Sequence, residues 1–191
     1  MDKKQAHAVI RRAQLESDLK AVCMGTISER VSRYLEVDTI KLTPNAHWAS
    51  ISAECALLYR DGYFFACIAL CQAVAEAITR DLCKKNTMRC SKSFEDNINR
   101  LHRGDKISLN SKEAMEIIWK NRNDYHHLNP EVPTDKEKLQ DISKSKMIAL
   151  GTVEAEVFEF ELVGGAIKPK YPQYWPKNPK GLLEVFLRLE P

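Results

Sequence analysis

Long apolar runs are missing from this chain. None of its segments approaches the roughly 20 consecutive apolar residues that a helix needs to span a bilayer. The opening Met1-Asp2-Lys3-Lys4 leads into a charged amphipathic stretch without the apolar segment of a signal peptide. We therefore expect a cytoplasmic protein that does not enter a membrane. Its 191 residues fit one domain with an appendage, and a hydrophobic content of 44% is enough to bury a core.

Clusters of metal-binding side chains are also missing. The six cysteines include no Cys-x-x-Cys pair, and Cys67 and Cys71 have no nearby histidine to complete a tetrahedral zinc site. The chain is too long and too apolar to be a small disulfide scaffold. We predict that most of the cysteines are buried thiols that act as small hydrophobic residues. No metal and no cofactor is expected.

Acidic residues are absent between Glu161 and Glu184, although the net charge of the whole chain is only +3. A charge excess of this size does not by itself indicate nucleic-acid binding. Basic and aromatic side chains are interleaved in the acid-free interval, which suits single-stranded RNA. The candidate RNA-binding residues are Lys168, Lys170, Tyr171, Tyr174 and Trp175. Four prolines in the same interval favour a second interpretation, in which this is a connection whose rings pack on the domain.

Helical periodicity and capping signals dominate the first part of the chain. An amphipathic helix is predicted over residues 3–23 and ends at Gly25. The capping-box pair Thr26 and Glu29 then begins a short second helix. Thr43-Pro44 is predicted to begin a third helix that runs to about Arg60, because Thr is a good N-cap and Pro is tolerated at the first helical position.

A long helix rich in Ala and Cys is predicted over residues 63–85, after a break at Asp61-Gly62. Its apolar residues lie almost all round the helix, so it belongs in the middle of a bundle. Glu76 is the exception on this helix. As a buried carboxylate it would need a partner, and Arg122 is one candidate, which would make Glu76 a residue that orients Arg122. A surface ion pair with Arg80 is the favoured alternative.

Three further helices are predicted before the periodicity changes. They cover Ser93 to His102, Ser111 to Leu128, and a segment that begins at the capping box of Thr134 and Glu137 and is stopped after Leu150 by Gly151. The domain boundaries that follow are an N-terminal helical extension over residues 1–43, a helical bundle over 44–150 and a C-terminal appendage over 151–191.

Beyond Gly151 the apolar period falls from about 3.6 toward 2, which predicts strands. A change of phase at Phe158 indicates a bulge. Apolar residues alternate again from Leu183 to Leu189, so the appendage is predicted to be a small antiparallel β pair joined by the Pro-rich connection. A short helix that begins at Lys180 is the alternative.

The most informative stretch is Arg122-Asn123-Asp124-Tyr125-His126-His127. Arg122 and His126 share a face while the helix continues, whereas an unwound last turn would bring His127 beside Arg122 instead. Pro130 disfavours helical geometry just before it, so the helix should end near Leu128. A permanent cation, two imidazoles and an amide suit phosphodiester cleavage by proton transfer and charge stabilisation. A solvated helix end with an ordinary ion pair is the simpler alternative.

Two elements of the chain together resemble a known family. The long Ala-rich helix is entered by Gly62-Tyr63 and carries Ala73-Val74-Ala75-Glu76, and a later helix ends in Arg122-Asn123-x-x-x-His127. This combination resembles a HEPN domain over about residues 44–150. The resemblance implies a mainly α fold, an antiparallel HEPN-like helical bundle. In many members it also implies a metal-independent endoribonuclease whose composite site forms between two protomers.

The resemblance also implies roles for the motif residues. His127 would be the general base toward a ribose hydroxyl or the acid toward the leaving oxygen, and Arg122 would stabilise the phosphorane charge. Asn123 would orient the phosphate or the histidine, with His126 as an alternative or auxiliary acid. The implied partners are RNA, a second copy of the chain and, for a toxin or defence effector, an antitoxin or regulatory protein. A catalytically silent HEPN-like module that binds a nucleotide, an RNA or a protein is the second hypothesis.

Overall fold

The fold is mainly helical, with two small antiparallel sheets. The computed structural model describes residues 3–37 and 39–188. Its helices are α1 (Lys3–Glu36), α2 (Ala49–Asp61), α3 (Phe64–Lys85), α4 (Phe94–Arg103), α5 (Leu109–Trp119), α6 (Arg122–His126) and α7 (Lys136–Val157). Its strands are β1 (Leu42–Pro44), β2 (Phe160–Val163), β3 (Ala166–Pro169) and β4 (Val185–Leu187), and a 3-10 turn covers Pro172–Tyr174. The predicted mainly α class is confirmed.

Helix α3 is the central element of the bundle and packs against α2, α4, α5 and α7. Small and β-branched side chains make this possible, because neighbouring helices can approach it on several sides. Cys67, Ile68 and Cys71 are completely buried. Four of the six cysteines are buried free thiols, as predicted, and the exceptions are Cys23 and Cys90. The predicted long central helix is confirmed.

Helix α1 is continuous through Gly25, so the predicted break there and the separate second helix are wrong. A single glycine within a helix costs only about 1 kcal/mol relative to alanine, which does not force a break. Thr26 does not act as an N-cap. Its hydroxyl donates instead to the carbonyl oxygen of Val22, one turn earlier, at 3.0 Å.

Helix α2 begins at Ala49, later than predicted, because Thr43-Pro44 lies in strand β1. This strand pairs with β4, with Thr43 opposite Phe186. The pairing joins residues far apart in sequence, which local capping signals cannot reveal. The predicted end of the helix is confirmed at Gly62, where φ is 85° and the backbone N–H bonds back to the last turn.

Helix α7 runs through Gly151 to Val157, so the predicted stop after Leu150 is wrong, and the predicted boundary at 150/151 lies inside the helix. Asp135, not Thr134, caps the helix by accepting from the N–H of Lys138 at 3.0 Å. Val153 and Val157 are four residues apart and both are buried. Their spacing fits a helix as well as a strand, which explains the error. Helix α4 agrees with the predicted start near Ser93, whose side chain caps it.

The predicted small β component near the C-terminus is confirmed, but its strand pairing differs from the predicted one. Strand β2 pairs with β3 through a turn at Gly164-Gly165, whereas β4 pairs with β1. The phase change at Phe158 marks the end of α7, so the predicted bulge there is wrong. Residues 185–187 form a strand and the alternative helix is not found; Leu189 lies outside the described residues.

Aromatic residues of the C-terminal segment complete the core of the bundle. The Phe158 ring stacks on Trp48 with centroids 4.9 Å apart. Tyr174 and Trp175 are buried in the same core. A buried ion pair adds to this contact, since Arg188 donates to both carboxylate oxygens of Glu154 at 2.7 and 2.8 Å.

Candidate active site around Arg122

The motif lies on its own short helix. The prediction of one continuous helix ending near Leu128 is wrong, because α5 stops at Trp119 and α6 begins at Arg122. Asn121 stands between them in the left-handed conformation, with φ 59°. Asn tolerates this conformation better than most residues. Leu128 also has a positive φ, of 51°, and lies just beyond α6.

A buried lysine fixes the junction between α5 and α6. Lys146 Nζ donates to the carbonyl oxygens of Ile117, Ile118 and Lys120 at 3.2, 2.6 and 2.8 Å. Gln72 Nε2 also donates to the Lys120 oxygen, at 3.3 Å. These donors satisfy carbonyls that a helix end leaves without intrahelical partners. Burial lowers the pKa of Lys146 to about 8. Lys120, which precedes Asn121, is therefore held by Lys146 from α7 and Gln72 from α3.

Helix α6 docks on α3 through Tyr125, which is buried and whose ring lies 5.5 Å from that of Phe65. The segment after α6 is fixed by Asn129, whose backbone and side-chain N–H groups donate to Asp124 at 2.9 and 3.2 Å. Asn129 Oδ1 accepts from the backbone N–H of Glu131. Asp124 and Asn129 therefore bond with each other. The Arg122 guanidinium instead contacts Trp119.

Arg122 stacks on aromatic rings. Its guanidinium carbon lies 5.3 Å from the centroid of the Trp119 ring, and Trp119 in turn stacks on Phe94 at 4.1 Å with an interplanar angle of 12°. Its Nη1 donates to Oδ1 of Asn123 at 3.4 Å. Nε has no hydrogen-bond partner among the described residues. The stack fixes the plane of a permanent cation that retains unused donors.

An open cleft of about 730 Å³ lies beside this stack and is lined in part by Trp119, Arg122 and Asn123. Two cations, Lys120 and Arg122, face four carboxylates, which belong to Glu95, Glu113, Glu116 and Asp124. Among the described residues that line the cleft there is no histidine. The cleft is therefore acidic overall, and the two motif histidines lie away from it.

His126 and His127 are both exposed, at the end of α6. Desolvation lowers the pKa of His126, and the charges of Arg122 and His127 lower it further. Glu76 and a hydrogen bond with the backbone of Ala69 act in the opposite direction. The ring therefore lies beside α3, within electrostatic reach of Arg122. His127 follows as the C-cap, and its backbone N–H donates to the Asn123 oxygen.

Glu76 forms the predicted surface ion pair with Arg80, at 2.6 Å. Its side chain is partly exposed, and its negative charge opposes the lowering of the His126 pKa. Glu76 is therefore placed to influence His126. The other predicted role, as the partner of Arg122, has no contact to support it in the described part of the chain.

The proposed RNA-binding surface is reduced by the fold. Tyr174 and Trp175 are buried, so their role as base-stacking rings is corrected: the rings pack on the domain, as the Pro-rich interpretation predicted. Lys170 is exposed but pairs with Glu159 at 2.7 Å and lies over the ring of Tyr171. Lys168 is exposed on β3, opposite Glu161. Of the five candidate residues, two exposed lysines and one half-buried tyrosine therefore remain at the surface.

Comparison with known proteins supplies no further identification. No family model, curated protein or solved structure matches this chain. Within residues 3–37 and 39–188, no group of three or more His, Cys, Asp or Glu side chains is placed to hold a metal ion. The same described residues include no helix that is long and apolar enough to cross a membrane.

Lys146 and the aromatic stack were missed by sequence reasoning. A detectable signal existed for the lysine, because it shares a helical face with Ser143, Leu150 and Val153, all of which are buried. A cation on a buried face needs acceptors, and the end of a neighbouring helix supplies them. The stack of Phe94, Trp119 and Arg122 joins three helices, α4, α5 and α6, so no local pattern indicates it.

Proposed function

We propose that this protein is a metal-independent endoribonuclease of HEPN type that acts as a toxin or defence effector in the cytoplasm. One observation carries the proposal: a histidine with a lowered pKa, His126, lies one helical turn from an oriented arginine, Arg122. An imidazole that is neutral near pH 7 can accept a proton, and a guanidinium with free donors can bind phosphate oxygens. The predicted HEPN-like antiparallel bundle is part of this proposal.

The reaction needs only proton transfers and charge stabilisation. His126 takes the proton from a ribose 2′-hydroxyl, whose oxygen attacks the adjacent phosphorus. The bond from phosphorus to the 5′-oxygen breaks, and an imidazolium gives that oxygen a proton. The products are a 2′,3′-cyclic phosphate and a 5′-hydroxyl. Arg122 stabilises the negative charge on the non-bridging oxygens, and Asn123 orients the phosphate.

His126 is assigned as the base because α6 includes it, which places it on the same helical face as Arg122. His127, for which the resemblance implies the role of base or acid, then serves as the acid. One chain offers few groups for in-line transfer, so we propose a homodimer that brings two copies of α6 together. An antitoxin or regulatory protein would cover the same surface.

Cleavage of a labelled RNA, with and without EDTA, tests the proposal. EDTA should have no effect. His126→Ala should lower the rate by roughly 10²–10⁴-fold. Arg122→Lys should also lower it, because lysine keeps the charge but loses the planar fork that holds two oxygens. His7→Ala and Arg103→Lys, at exposed positions outside the motif, are the matched controls and should be fully active.

Mixing two inactive variants tests whether the site is shared. If each site takes Arg122 from one copy and His126 from the other, then mixed Arg122→Ala and His126→Ala dimers contain one intact site, and up to about a quarter of the activity returns. No recovery in proven mixed dimers means that the site lies within one chain. If His127→Ala alone inactivates, the assignment returns to His127, as the sequence first predicted.

A second candidate is a catalytically silent HEPN-like module, and the acidic cleft favours it. Four carboxylates around Arg122 and Lys120 repel a polyanion such as RNA and attract basic side chains. This module would bind a protein segment that carries lysine or arginine. The cleavage assay separates the two candidates, since a silent module leaves the RNA intact whichever motif residue is changed.

A further inference from the structure

Most of helix α1 has no cover from the rest of the described chain, residues 37 and 39–188 included. Every residue from position 7 to position 25 is exposed. Large apolar side chains are included, since Ile10, Leu19 and Met24 are 68%, 64% and 70% exposed. Helices in proteins gain most of their stability from packing an apolar face. A partner that covers the exposed apolar face of α1 would therefore stabilise it.

A seven-residue repeat of apolar residues runs along α1, while five other large apolar residues, Val9, Leu15, Leu19, Val22 and Leu35, lie off it. Positions 6, 10, 13, 17, 20, 24, 27, 31 and 34 are separated alternately by four and three residues, which is the spacing of a coiled-coil seam. Seven of the nine are apolar: Ala6, Ile10, Ala13, Met24, Ile27, Val31 and Tyr34. The exceptions, Ser17 and Lys20, lie at the middle of the seam. We call these nine positions the α1 seam.

The two exceptions indicate how a second copy would pair with this seam. A parallel pair would place each Lys20 against the other Lys20, which is repulsive. An antiparallel pair can instead place Ser17 against Lys20. The same register gives the layers Ala6 with Val31, Ile10 with Ile27, and Ala13 with Met24. Small residues then face large ones, and polar residues face polar ones. We infer that α1 pairs with α1 of a second copy in an antiparallel coiled coil.

Charge and area agree with this occupant. In the antiparallel register the ammonium group of Lys20 faces the second copy's segment Glu16-Ser17-Asp18, which carries two carboxylates. A 34-residue helix is about 50 Å long and about 10 Å across, so a pair buries about 1,000 Å² in total. That area meets the lower limit for a biological interface, which is about 1,000 Å².

The bundles stand apart in such a pair. Val31 of one copy faces Ala6 of the other, so the two Val31 residues are separated by 25 helical positions, or about 37 Å along the coil. Helix α1 joins the bundle near this end, where Arg30 pairs with Asp61 at 2.8 Å and Arg33 donates to the Arg60 carbonyl. The coil uses residues of α1 alone and the proposed nuclease site uses residues of α6, so the two proposals can be tested separately.

Light scattering of the full chain at tens of micromolar measures the association. The Ile10–Ile27 layer occurs twice in the antiparallel pair. The double variant Ile10→Glu with Ile27→Glu places glutamates against each other in both layers and should lower the molar mass by a factor of two. Leu19→Glu is the matched control, because Leu19 is equally exposed on α1 but lies off the seam, and it should leave the mass unchanged. A wild-type mass that the seam variant does not change overturns the inference. Circular dichroism confirms that each variant keeps its bundle.

Cysteine cross-linking tests the orientation. In a chain with Cys23→Ser and Cys90→Ser, Ala13→Cys is placed in one tagged copy and Met24→Cys in a second copy with a different tag. Oxidation should join the two tags, because positions 13 and 24 form one layer of the antiparallel register. The Ala13→Cys copy alone should not cross-link with itself. A cross-link between two Ala13→Cys copies shows a parallel coil and overturns the proposed register, and no cross-link in either mixture overturns the pairing.

Discussion

Helices α1 and α3 are the same kind of segment in sequence and opposite kinds in structure. Both are long, and both carry apolar residues at helical spacing. On α3, Cys67, Ile68 and Cys71 are fully buried, whereas Ile10, Leu19 and Met24 of α1 lie in solvent. The difference lies in their neighbours, since α3 has helices on several sides and α1 meets α2 near its C-terminal end. Apolar periodicity predicts that a face will be buried, without saying within which chain.

Deleting each end of the chain should give the largest contrast. Removal of residues 152–191 takes away Phe158, Tyr174 and Trp175 from the core and exposes Trp48, so we expect loss of cooperative unfolding in urea followed by circular dichroism. Removal of residues 2–25 should leave the unfolding midpoint of the bundle unchanged at low protein concentration. A cooperative transition for the chain that ends at Gly151 would show that residues 151–191 are a separable appendage, as the sequence predicted.

One buried ion pair in the bundle and one exposed ion pair on α1 allow the two regions to be compared by single substitutions. Arg188→Met leaves the buried Glu154 carboxylate without its cation and should cost about 3–5 kcal/mol of unfolding free energy. Arg12→Met removes the exposed pair with Glu16 on α1 and should have no measurable effect. Adding Glu154→Leu to Arg188→Met should restore much of the loss, because no unpaired buried charge then remains. Equal effects of the two arginine substitutions would contradict the burial difference.

Lys146→Met tests the clamp on the α5–α6 junction. It removes the lysine donor from three carbonyl oxygens, of which only that of Lys120 keeps a second donor, Gln72, and this should cost about 1–3 kcal/mol. The pKa of Lys146 is about 8 in the folded protein and ordinarily 10.5, so between these values the unfolded chain binds more protons. Wild-type stability should therefore rise relative to the variant as the pH increases from 8 to 10.5.

Exposed Lys138, on the same helix, supplies the control for that experiment. The difference between wild type and Lys138→Met should not change over the same pH interval. Hydrogen exchange at residues 117–128 should become faster in Lys146→Met alone, because the junction loses its anchor. A pH-independent difference for Lys146→Met would show that the lysine titrates normally and that its burial has no energetic effect.

The smallest expected effects come from two glycines with opposite surroundings. Gly25→Ala, within α1, meets no atom within 4 Å and should stabilise the helix by about 0.5–1 kcal/mol. Gly62→Ala should destabilise the bundle by about 1–2 kcal/mol, because φ there is 85° and a side chain is strained. Amide exchange in α1 and urea unfolding of the bundle measure these changes. Effects of the same sign would contradict this assignment.

Local signals were sufficient where neighbours in sequence decide the structure. The end of α2 at Gly62, the start of α4 near Ser93 and the apolar length of α3 were all predicted, because a start or a stop depends on a few adjacent residues. The predicted helix start at Thr43-Pro44 was wrong, because pairing with β4 overrides a good capping signal. The predicted helix stop at Gly151 was also wrong, since packing of α7 outweighs the modest cost of one glycine.

The candidate site shows the same division. The i, i+4 relation of Arg122 and His126 was predicted from spacing alone, and it is found within α6. The break before Arg122 was not, because it depends on a left-handed Asn121 and on Lys146 from another helix. The burial of Trp175 could not be read from composition either, since basic and aromatic residues give the same pattern on a surface and over a core.

The stack of Arg122 on Trp119 gives the candidate site an optical reporter. Of the three tryptophans, Trp48 and Trp175 are 1% and 3% exposed, whereas Trp119 is half-buried beside the cleft. A water-soluble quencher such as iodide should therefore reach Trp119 first. An oligonucleotide or a basic peptide that engages Arg122 alters the surroundings of this indole. The intrinsic fluorescence of the native chain can thus register occupancy without any label and before any bond is cut.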